Sequence, residues 1–165
     1  MLFRSIDVRE FMMTVAFRID LTEDFDIDKE KLFLSEKETG KQTQYCETCF
    51  SLLCNKLNNI DDMILSYCRG WMPERMPKTD LAILCITICE MIYMDDIPDS
   101  VSINEAVEMA KKFGDDDSPK YINGILSSIK KNLRASDNNF PRKREIREDK
   151  ERNRGMIFHF FHGKL

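Results

Sequence analysis

Signals that end strands and helices are scarce in this chain. Six Gly and five Pro punctuate 165 residues, too few for the frequent tight turns of a β-sandwich or barrel. There are two histidines, His159 and His162, both near the C-terminus. No Ser-His-Asp arrangement, P-loop or Gly-rich phosphate cradle is present, which argues against the common hydrolases and nucleotide enzymes. No long apolar run exists. The most apolar stretch, Leu81 to Met94, has 14 residues and contains Thr87 and Glu90, whereas a membrane span needs about 20. The first apolar residues are interrupted by Arg4, Asp7, Arg9 and Glu10, which breaks any signal-peptide core. A cytoplasmic location with no membrane contact is expected. Positive charge is not in excess either: 25 Lys/Arg face 29 Asp/Glu, a net charge of −4. That argues against a generic, charge-driven nucleic-acid binder. The average hides an asymmetry. From Ser136 onward there are 8 Lys/Arg and 5 Asp/Glu, leaving 17 against 24 in the first 135 residues.

What is present reads as helix. Apolar residues recur at three and four. Arg9 to Ile19 carries Phe11, Val15, Ala16 and Ile19 on one side. Ile27 to Lys37 is a second expected helix, and Gln44 to Leu57 a third with Tyr45, Cys49, Leu52, Leu53 and Leu57 in its stripe. Asp61 is placed to cap a short fourth helix running to about Cys68. After Gly70, Pro73 and Pro77, Thr79 to Tyr93 is apolar nearly all round, the pattern of a helix inside a bundle. Ser102-Ile-Asn-Glu105 fits a capping box. Ile103, Ala106, Val107, Ala110 and Phe113 form the stripe behind it, and Gly114 is expected as the residue that ends the helix in a left-handed turn. Ser118-Pro119 starts a last helix with Ile122, Ile125, Leu126 and Ile129 inward. Gly124 within it costs about 1 kcal/mol against Ala, which suggests close approach to another helix. Residues 1–135 read as one helical domain. Residues 136–165 read as a charged extension, either a solvated helix, a frayed tail or a basic arm for phosphate.

The junction after Phe113 brings a helix end, a helix start and lysines together. Unpaired backbone donors and a partial positive charge gather at such a start. Lys111, Lys112 and Lys120 lie beside Tyr121. Single-stranded RNA is generally held by cations on phosphates and aromatics under bases. On pattern alone the plainer account is stronger: lysines that complement a helix C-terminus, and a tyrosine that packs. Asp115, Asp116 and Asp117 favour the start of the last helix and would repel a phosphate.

Six cysteines are expected as reduced thiols. Cys46 and Cys49 with Cys85 and Cys89 resemble zinc pairs, yet 35 residues separate Cys49 from Cys85, against about 15–20 between typical linked pairs. All four sit in apolar stripes, where cysteine acts as a small hydrophobe. No metal or cofactor is expected.

The residues resemble the NusB family over roughly 5 to 133. The most specific part is Asp96-Ile-Pro98, Ile103-Asn-Glu-Ala106, Glu108-Met-Ala-Lys111, Phe113-Gly114, Ser118 and Asn123-Gly124-Ile-Leu126. Arg9-Glu10, Ala16-Phe17, Tyr45, Ile60-Asp61, Asp80, Ala82-Ile-Leu84 and Glu90 add weaker matches. The resemblance implies an all-α fold: a seven-helix bundle of two three-helix halves with a short linker helix. It implies no catalysis. It implies pairing with the small-subunit ribosomal protein NusE and binding of single-stranded boxA-like RNA, as part of an RNA polymerase antitermination complex on ribosomal RNA operons. With it, Lys111, Lys112, Lys120 and Tyr121 become the expected RNA surface, and Arg4, Arg9 and Arg18 candidate phosphate contacts from the first helix. Asp80 and Glu90 become candidates for the partner face, although Glu90 in an apolar helix equally fits a buried residue paired with a base. Two departures matter. The N-terminal arginine cluster is reduced to Arg4, Arg9 and Arg18, and the family's Asp-Arg-Ala-Ile-Leu-Arg has Leu81 and Cys85 at its arginine positions. Either loss is expected to weaken RNA affinity or alter partner contacts, which keeps open the competing reading, a protein-only interaction module with the same fold.

Overall fold

The computed structural model describes residues 5–21, 42–68 and 75–135. Those residues form five helices: α1 Ser5–Leu21, α2 Thr43–Tyr67, α3 Lys78–Tyr93, α4 Asp99–Phe113 and α5 Ser118–Ala135. No strand occurs among them. The all-α architecture is as expected. The helix expected over 27–37, the tail after 136, and Arg4, His159 and His162 lie outside the described residues.

α3 is the centre. Ala82 to Met91 are all buried, and the helix packs against α1, α2, α4 and α5. Ile83, Leu84, Ile86 and Ile88 are fully inside, each contributing about 1.5–3 kcal/mol of hydrophobic burial. The helix starts after Pro77, whose carbonyl accepts the Asp80 and Leu81 amides at 3.0 and 3.1 Å. Proline before the first turn has no amide to leave unpaired there.

Glu90 is one of two buried carboxylates on this helix, with Asp80, and is 1% exposed. An unpaired carboxylate there would cost several kcal/mol and offset two of the isoleucines. It is instead fully engaged. Arg9 of α1 donates Nε to Oε1 at 2.7 Å and Nη2 to Oε2 at 3.0 Å. Ser102 of α4 donates its hydroxyl to Oε2 at 2.6 Å. Tyr45 of α2 donates its phenol to Oε1, and the Arg9 guanidinium lies 5.9 Å from the Tyr45 ring centroid. Burial pushes the Tyr45 phenol well above its ordinary range, so it stays a donor. One carboxylate thus ties three helices to the fourth.

Several expectations are corrected by the same packing. The third and fourth expected helices are one helix of 25 residues. Asn58 and Asn59 are weak helix formers, but Ile60, Met63 and Ile64 continue the buried stripe of Cys49, Phe50 and Leu53. Asp61 is buried within this helix rather than capping a new one. Ser102 does not cap α4. The helix begins one turn earlier, after Pro98, whose carbonyl accepts the Val101 and Ser102 amides, which leaves the Ser102 hydroxyl for Glu90. Gly114 is extended, φ −95° and ψ −176°, not left-handed. A Cβ there would lie 2.6 Å from Ser118 Cβ and 2.8 Å from the Ala110 carbonyl oxygen, so glycine is set by space. Gly124 is exposed, with nothing within 4 Å of a Cβ position. The close approach expected at this glycine does not occur.

Removing one member of the Glu90 cluster strands the rest. Arg9→Met should lower unfolding free energy by about 3–5 kcal/mol, read from the urea midpoint at unchanged slope. A loss below about 1 kcal/mol, the range of an exposed pair, would contradict the arrangement.

Candidate nucleic-acid interface

The α4–α5 junction is built from the Gly114 turn. The Gly114 amide closes α4 on the Ala110 carbonyl at 2.9 Å, and the Ser118 amide closes the next turn on Asp115 at 3.0 Å. Ser118 is buried. Its hydroxyl accepts the Asp115 amide at 2.9 Å and donates to Asp80 Oδ2 at 2.6 Å. Tyr121, one turn on, donates its phenol to the same Oδ2. The Lys120 and Tyr121 amides both bond the Asp117 carbonyl at 3.2 Å, which sets Lys120 and Tyr121 in the first turn of α5. Pro119 follows Ser118 at the helix start, where its missing amide is harmless.

Cations and aromatics surround this turn. Lys111, Lys112 and Lys120 are exposed, and Tyr121 is half-buried. Lys111 pairs with Glu108 at 2.7 Å. Lys112 reaches both carboxylate oxygens of Glu10 on α1 at 2.8 Å, and its ammonium sits 4.9 Å from the Phe113 ring centroid. The Lys111 pair is exposed on both sides and worth about 0–1 kcal/mol; in the Lys112 pair Glu10 is half-buried, but the lysine itself stays exposed to a competing phosphate. Phe113 is 38% exposed. Its place in the stripe of α4 suggested burial, but it is the last residue of the helix and its ring lies at the surface beside Lys112. The signal was there in the two lysines before it and the glycine after it. Glu10, which reaches Lys112 from α1, stood in the sequence only as part of the Arg9-Glu10 match, with nothing to join it to this corner.

The remaining candidates divide. Arg9 is buried against Glu90 and does not present its guanidinium to solvent. Arg18 is half-buried in the last turn of α1. Asp80 and Glu90 are 0% and 1% exposed, so neither carboxylate reaches a surface on which a partner docks. Each faces a neighbouring helix of its own chain. Cys46, Cys49, Cys85 and Cys89 are buried. Burial pushes the Cys46 thiol up to about 11 and raises Cys49 and Cys89 as well, which opposes the thiolate form that metals take. Among the described residues no group of three or more His, Cys, Asp or Glu side chains is placed to hold a metal ion. None of the described helices is long and apolar enough to cross a membrane.

Comparison with known proteins agrees with the fold. The NusB family model matches residues 7–131. The chain belongs to the NusB family. The transcription antitermination protein NusB of Bacillus pumilus is 41% identical over 127 residues, covering 76% of this chain and 94% of that one. That of Natranaerobius thermophilus is 39% identical over 129 residues, covering 76% and 93%. The solved structure of T. maritima NusB superposes with a TM-score of 0.71 at 30% identity, over 79% of this chain and 93% of that one. A chain in the crystal structure of a plectonemic RNA supercoil shares the fold, with a TM-score of 0.68 at 22% identity, over 78% and 95%.

Asp80 gives this NusB chain a testable pH signature. Burial raises its carboxyl above the ordinary range, the Asp115 charge raises it further, and the Ser118 hydrogen bond opposes both. The folded state therefore keeps this proton to higher pH than the unfolded chain, so its share of stability falls as pH rises through the raised value. Relative to Asp80→Asn, the wild type should lose unfolding free energy between about pH 4 and neutrality. Denaturant titrations showing a gap that does not change with pH would contradict this.

Proposed function

We propose that this NusB-family chain is a transcription antitermination factor that pairs with NusE and grips single-stranded boxA-like RNA at the α4–α5 corner. In this reading the RNA is a nascent ribosomal transcript, and the bound pair joins the RNA polymerase antitermination complex. The chain acts by binding and not as an enzyme. The observation that carries the reading is the corner itself: three exposed lysines beside one exposed and one half-buried aromatic ring, on a rigid two-helix frame. Cations meet phosphates there, and rings offer faces to unstacked bases.

The protein-only module is the second reading. Arg9 turned inward, together with Leu81 and Cys85 in place of the family's arginines, favours it. The lysines of the corner weigh the other way.

Titration of the NusE complex with boxA-like RNA at several salt concentrations separates the two. Three lysines on phosphates give a slope of log affinity against log salt of about −2 from this chain, at roughly −0.7 per single-strand phosphate. Lys112→Ala should flatten the measured slope by about 0.7. Phe113→Ala should weaken binding by about 1–3 kcal/mol, the range of one base stack, with the slope unchanged. A NusE complex that ignores the RNA would establish the protein-only module.

A further inference from the structure

Asp80 does more than fill a core position. It is fully buried, yet both of its donors, Ser118 and Tyr121, belong to the surface corner. Its other oxygen, Oδ1, finds no hydrogen-bond donor among the described residues, so the carboxylate rests on those two hydroxyls. Ser118 in turn holds the Asp115 amide, and Gly114 leaves the space that Ser118 fills. We propose that Asp80 is a positioning residue for RNA recognition, holding Tyr121 by its hydroxyl so that the ring keeps one axis at the surface. The inference rests on the RNA-binding reading of this corner.

The physical case is direct. A tyrosine fixed at Cβ alone samples several rotamers. A tyrosine fixed also at its hydroxyl keeps the line between those two points, and its exposed edge and face stay where a base meets them. Ordering a free side chain on binding has an entropic cost, and a pre-ordered one avoids it. The same carboxylate fixes Ser118, and through it the turn that sets Lys111 and Lys112 relative to Lys120. Ring and cations are thus held in register by one buried group. Asp80 touches no RNA; it acts through Tyr121 and Ser118.

Four proteins test this: wild type, Asp80→Asn, Tyr121→Phe and the double variant. Each is titrated as the NusE complex with fluorescent boxA-like RNA. Tyr121→Phe keeps the stacking ring and deletes only the tether. Each single variant should bind about two- to tenfold more weakly, and the double no more weakly than the weaker single. Asp80→Asn that lowers affinity by the same factor with or without the Tyr121 hydroxyl, or not at all, would overturn the proposal. A second measurement needs no RNA. In the free chain carrying isotope-labelled tyrosine, Asp80→Asn should shift and broaden the Tyr121 ring signals. Unmoved signals would also overturn it. If the wild-type complex fails to bind RNA, the functional reading falls, and the ring signals still decide whether Asp80 holds Tyr121.

Discussion

A helix with no solvent face that carries two carboxylates must find donors for both from its neighbours. That constraint organises this molecule. Asp80 and Glu90 are ten residues apart on α3, about 15 Å along its axis and about 80° around it. They therefore address different neighbours. Glu90 gathers Arg9, Tyr45 and Ser102 from α1, α2 and α4. Asp80 gathers Ser118 and Tyr121 from α5. Hydrophobic burial is non-directional, and alone it would let helices slide or rotate against α3. The two charges make the wrong arrangements expensive, because any slip leaves a carboxylate in the core without donors.

The same arrangement shapes the surface. Arg9 is engaged within the core, so the cations of the α4–α5 corner are lysines. Lysines are compact charges that meet a phosphate without bidentate geometry. Of their present partners, Glu108 is exposed and Glu10 half-buried, and both lysine ammonium groups stay at the surface. The frame beneath is the opposite: the turn from Gly114 to Ser118 is packed tightly enough that one added carbon would collide with Ser118 and Ala110. Exchangeable charges on a fixed frame suit a ligand with a repeating backbone and variable bases.

The sequence shows the helices clearly, because apolar spacing is a local property. α3 is recognisable from its missing polar face, and α5 from its stripe. Roles that depend on a distant partner are not visible in this way. Ser102 and Glu105 have the spacing of a capping box, but Pro98 starts α4 earlier and Glu90 takes the Ser102 hydroxyl. Asp80 looks like an exposed partner contact when matched by family, and Glu90 like either that or a buried residue paired with a base; the structure buries both and pairs Glu90 with Arg9. Asp61 looks like the cap of a new helix, and the long stripe of α2 runs straight through it. Phe113 lies on the apolar stripe, yet it ends the helix and faces water. For Ser102, Asp80 and Glu90 a partner on another helix decided the outcome; for Phe113 the end of its own helix did. Gly124 has no such contact, and the packing gives no reason for glycine there.

The central claim is that the corner from Lys111 to Tyr121 is the surface that meets RNA. Photocrosslinking tests it most directly. The NusE complex is irradiated with boxA-like RNA carrying a photoreactive uridine, and the modified peptides are sequenced by mass spectrometry. The account predicts adducts at Phe113 or Tyr121, on either side of the Gly114 turn. RNA crosslinked to this chain only through residues of α2, with that corner unmodified, would contradict it.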